Sequence, residues 1–98
     1  MGLFRVKGRL TGPTGRSEDA ELLVDTGASL LVVPRALAER PVAEVGLSLN
    51  GQGVTTPCFS APDGPALLGA VALESLFLAV DPVAKRLIPV EGFVGVAA

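Results

Sequence analysis

The sequence predicts a mostly β domain with one or two short helices, and three observations predict it. Phe4, Val6 and Leu10 alternate with Arg5, Lys7 and Arg9, the period-two pattern of a half-buried strand. Asn50-Gly51 stands between two strand-like runs, and Asn-Gly is the strongest short hairpin signal because both residues tolerate positive φ. Residues 22–24 and 30–33 are apolar runs too short for amphipathic helices and bounded by turn residues. At 98 residues the chain is expected to form one domain, residues 1–98, burying roughly 60 to 70% of its unfolded surface. Hydrophobic residues make up 49% and charged residues 18%. That is more apolar surface than one copy covers, which favours an oligomer or a substrate groove.

In order, residues 3–24 read as a hairpin turned at Gly12-Pro13-Thr14-Gly15, whose second strand delivers Asp25. Residues 30–33 form a buried strand ended by Pro34. Residues 35–40 are good helix formers bracketed by Pro34 and Pro41, hence a short helical connector. Residues 42–49 and 54–59 flank Asn50-Gly51-Gln52-Gly53 as a second hairpin, and residues 61–65 form a rigid loop. The apolar run 66–69 leads into a short helix over residues 70–76. A last hairpin is expected from residues 77–80 and 86–90 around Asp81-Pro82, and the apolar tail 91–98 reads as either a loose end or an interface strand.

Composition narrows the chemistry. The net charge is −2 and the basic residues are scattered without aromatic interleaving, so no nucleic-acid partner is expected. With no histidine and a single cysteine, Cys58, the chain offers no Ser-His or Cys-His catalysis, no zinc cluster and no disulfide framework. Cys58 itself reads as a small buried hydrophobe. No window has the roughly 18 apolar residues of a membrane span, and Arg5, Lys7 and Arg9 interrupt the N-terminal stretch, so the expected location is cytoplasmic, away from membranes. What remains is carboxylate chemistry without metal or cofactor.

The candidate carboxylate is in Leu22-Leu23-Val24-Asp25-Thr26-Gly27-Ala28-Ser29, where an apolar strand stops on a turn. Alone, Asp25-Thr26-Gly27 reads as an ordinary turn with an Asx-type hydrogen bond. Followed by an apolar run and then by Leu67-Leu68-Gly69 leading into a helix, it resembles the single-lobed, retropepsin-like aspartic proteases over nearly the whole chain. The resemblance implies a small closed β-barrel-like acid-protease fold. It also implies a homodimer, because the mechanism needs two carboxylates and the chain has one such motif. Asp25 of each copy would share one proton and activate water against a peptide bond of a peptide or protein substrate. Thr26 would bond across the twofold axis, and Gly27 would let the backbone approach substrate. Ala28 and Ser29 would line the cleft, and Leu67, Leu68 and Gly69 would pack behind the turn.

One departure qualifies the resemblance. The 42 positions from Gly27 to Gly69 are fewer than the family's usual interval, and one hairpin is missing. If the Asn50-Gly51 hairpin belongs to the body, the protein lacks the flap that closes over substrate; in the other register, residues 50–53 are a short flap tip. The expected function is therefore an aspartic endopeptidase, with a catalytically silent, flap-less dimerisation or peptide-binding module as the alternative. Asp63 and Asp81 read as turn residues, and a Ser29–lysine dyad with Lys7 or Lys85 needs a fold coincidence.

Overall fold

The computed structural model describes residues 4–38, 42–62 and 64–90. Along the chain it forms β1 (Arg5–Thr11), β2 (Ser17–Val24), β3 (Leu31–Pro34), α1 (Arg35–Ala38), β4 (Val42–Leu49) and β5 (Gln52–Ala61). These are followed by β6 (Ala66–Leu68), α2 (Ala70–Ser75), β7 (Leu78–Asp81) and β8 (Arg86–Pro89). Six strands close a barrel in the order β1-β2-β6-β3-β5-β4, and β7 and β8 form a separate two-stranded sheet. Closure leaves no barrel edge unpaired, which removes the hazard of open strands.

Local hairpins account for β1 with β2 and β4 with β5, whose antiparallel registers run from Thr11↔Ser17 and from Leu49↔Gln52. The second is turned by Asn50 at φ 51° and Gly51 at φ 81°, the doubly left-handed turn that Asn-Gly favours. Pairings between distant segments then close the barrel. β6 inserts between β2, to which it is parallel, and β3, to which it is antiparallel. β5 runs parallel to β3, and β4 pairs with β1. Both strands of the Asn50-Gly51 hairpin are therefore barrel staves.

Alternation fills the interior. Leu10, Leu22, Val24, Leu31, Val33, Val45, Leu47, Cys58 and Leu68 point inward, and Leu37 of α1 with Ala72, Leu73 and Leu76 at α2 complete the core. The scarcity of aromatics makes this a core of branched aliphatics. Thr56 is its one buried polar residue among those described, and its hydroxyl donates to the Pro57 carbonyl at 3.4 Å.

Boundaries shift where local signals mislead. β5 starts at Gln52 and runs to Ala61, because the two-residue turn lets pairing begin at once. Helix α2 ends at Ser75, and Phe77, expected to open a strand, instead takes φ 54° and ends the helix, donating its N–H to the Glu74 carbonyl. A left-handed residue there satisfies helix carbonyls, a place usually held by glycine. In the last hairpin the Asp81 carboxylate accepts from Val83 N–H and Ala84 N–H, each at 3.1 Å, the turn role expected of it. Asp63 and the tail 91–98 lie outside the described residues. Among those described, no helix is long and apolar enough to cross a membrane.

Candidate active site

Asp25 follows the last residue of β2, and the strand is anchored there by its neighbour. The Asp25 N–H donates to the Leu68 carbonyl at 3.0 Å, extending the β2–β6 pairing by one residue. The chain then reverses, with the Asp25 carbonyl accepting from Ala28 N–H at 3.0 Å. Within this turn the Gly27 N–H donates to Asp25 Oδ1 at 2.9 Å, which fixes the carboxylate's orientation. The carboxylate is half-buried, while Thr26 and Gly27 are exposed. An ordinary Asx turn and an oriented catalytic carboxylate share this hydrogen bond, so it does not separate the two readings.

Space around the turn is tight at Gly27 and excludes a side chain at Gly69. A Cβ on Gly27 would lie 3.1 Å from Asp25 Oδ1 and press on the bond that orients it. A Cβ on Gly69 would lie 2.5 Å from the Leu30 carbonyl oxygen and 2.7 Å from that of Ala28, closer than real contacts allow. Gly69 has φ −93° and ψ −178°, an extended backbone any residue adopts, so crowding and not conformation excludes a side chain. The close approach lets the turn dock on the start of α2: the Ala28 and Ser29 carbonyls accept from Ala70 N–H at 2.9 Å and Val71 N–H at 3.0 Å.

The residues expected to support the turn divide by parity. Leu68 is fully buried beneath it, whereas Leu67 is half-buried on the outer face. Ala28 is half-buried and Ser29 exposed. Among the described residues the Thr26 and Ser29 hydroxyls have no hydrogen-bond partner within the chain.

Register exposes residues that the sequence reading missed. Leu23 has the same outward parity as Asp25, its neighbours Leu22 and Val24 being buried. Leu23 pairs with Leu67, Leu67 with Val32, and Val32 with Phe59, four outward side chains on adjacent strands. The first three are half-buried and Phe59 is 47% exposed. An apolar strip thus crosses the barrel's outer face on a line starting two residues before Asp25. Strand parity was a usable signal for Leu23; the β2-β6-β3-β5 adjacency was not visible locally.

Competing chemistry is weak. Cys58 is fully buried, and burial pushes its thiol pKa up, opposed in part by a backbone hydrogen bond at Ala43. That keeps it protonated and unreactive. Among the described residues no group of three His, Cys, Asp or Glu side chains is placed to hold a metal ion. The hollow at the Asn50-Gly51 tip, about 380 Å³, is lined by Leu49, Asn50, Gln52, Leu76, Phe77 and others, and not by residues 25–29.

Two solved structures share this architecture. The solution structure of the simian foamy virus (mac) protease aligns with a TM-score of 0.58 at 18% identity, covering 74% of this chain and 94% of that one. The EIAV protease complexed with the inhibitor HBY-793 aligns with a TM-score of 0.59 at 16% identity, covering 87% and 91%. No protein-family model and no curated protein matches the chain. The chain has the single-lobed, retropepsin-like aspartic protease fold.

Proposed function

We propose that the protein is an aspartic endopeptidase that works as a homodimer, each copy contributing Asp25. The observation that carries this is the outward parity that Asp25, at the end of β2, shares with an apolar strip. A peptide laid along the strip would bury apolar side chains beside the carboxylate pair. One carboxylate takes a proton from the attacking water; the other, protonated, stabilises the oxyanion and passes its proton to the leaving amine. Thr26, exposed at the turn, bonds to the opposite copy and keeps the two turns in register. The shared proton gives an acidic activity optimum, which a rate rising steadily through alkaline pH would contradict.

The cleft works without a flap. Seven residues separate Pro34 from Val42, whereas a hairpin of two ordinary strands and a turn takes roughly 12 to 17. Water exclusion is then weaker and turnover slow, with unstructured peptides the preferred substrates. The same shortness favours a second reading, a silent peptide-binding module.

Mixing the protein with its Asp25→Asn variant separates these. For a homodimeric protease in exchange, activity falls as the square of the wild-type fraction. A linear fall would mean that each chain acts alone, and peptide binding without turnover would favour the silent module.

A further inference from the structure

The apolar strip ends on a cation that none of the described residues neutralises. β1 presents Arg5, Lys7 and Arg9 outward. Arg9 forms an ion pair with Asp19 at 2.7 Å, and Lys7 stands opposite Glu21. Arg5 stands opposite Leu23, the first residue of the strip. It is exposed, and among the described residues it has no hydrogen bond or ion pair. The run along adjacent strands is therefore Arg5, Leu23, Leu67, Val32 and Phe59, with Asp25 on the Leu23 strand.

We propose that Arg5 determines specificity, selecting peptides with an acidic side chain two positions from an apolar one. This rests on the strip being the peptide-binding surface of the reading above. Neighbouring strands lie about 4.8 Å apart, and side chains two residues apart on an extended peptide are about 6.7 Å apart. An apolar side chain over Leu23 and Leu67 therefore brings a carboxylate two residues along within reach of the Arg5 fork. A guanidinium binds a carboxylate through two parallel N–H···O bonds, which neutral and basic side chains cannot reproduce. Arg9 is ion-paired with Asp19 and Lys7 stands opposite Glu21, whereas Arg5 stands opposite Leu23, so of the three β1 cations Arg5 is the one with no acid across the β1–β2 ladder.

The test uses the full chain carrying Asp25→Asn, so that peptides stay intact, and fluorescence anisotropy with labelled peptides differing only in Glu or Gln two positions from a leucine. The Glu peptide binds about fivefold more tightly at low salt. Arg5→Gln removes the preference, Arg5→Lys keeps part of it, and Arg5→Glu reverses it toward a Lys-bearing peptide. Circular dichroism of each variant confirms that this surface change leaves the fold intact. Equal binding of the two peptides, no binding of either, or an acid preference that survives Arg5→Glu would overturn the proposal. A parallel cleavage assay with the unmutated protein separates the two claims. Acid-selective binding without cleavage sinks the protease reading and keeps Arg5, while cleavage indifferent to acidic residues does the reverse.

Discussion

At the scale of single residues, the turn depends on Gly27 and Gly69 around Asp25, and the core carries one buried thiol. Gly69→Ala drives a methyl into the Leu30 and Ala28 carbonyl oxygens. It should cost about 1–3 kcal/mol, read as a lower denaturant midpoint, with activity falling further because the turn is displaced. A midpoint equal to wild type would mean that the crossing relaxes at no cost. Cys58 gives a pH prediction whose sign follows from burial. Its folded-state pKa is raised, so below the ordinary thiol value, near pH 9, both states hold the proton and stability is unaffected. Above that value the unfolded chain releases the proton first, and stability falls as pH rises toward the folded pKa. Cys58→Ala should flatten that alkaline slope while costing some packing; an unchanged slope in a stability titration would assign it to another group. Asp25, Gly27 and Gly69 could be named as candidates from sequence because each sits in a motif. Val32 and Phe59 could not, since their place in the strip depends on which strands become neighbours.

At the scale of elements, what was readable is what is local. The alternation of β1 and the Asn50-Gly51 turn are written in adjacent residues, and the observed β1–β2 and β4–β5 hairpins follow them. The three-residue strand β6 carries no pattern of its own. It becomes a strand because β2 and β3 leave a slot that its backbone fills. Phe77 was misread for the opposite reason: its strand propensity was overridden by the need to cap α2. The hairpin turn allows a test free of packing effects, because nothing lies within 4 Å of a Cβ placed on Gly51, whose φ is 81°. Gly51→Val should cost about 1–2 kcal/mol through backbone strain alone. A thermal midpoint unchanged from wild type would show that the turn re-forms with another geometry.

At the scale of the whole molecule, a closed six-stranded barrel holds Asp25 at the end of a stave beside an apolar strip, and under the proposed function a second copy supplies the other carboxylate. The 49% of hydrophobic residues agrees with that proposal, since such a chain is expected to have apolar surface to spare. The central claim is that Asp25 hydrolyses peptide bonds, and the most direct measurement is peptide-library cleavage by the protein beside Asp25→Asn. It is run at about pH 5, where a carboxylate pair holds one proton, with products read by mass spectrometry. The account predicts cleavage next to apolar residues that drops about a thousandfold or more in the variant. Equal cleavage by both proteins, or none by either, would contradict it.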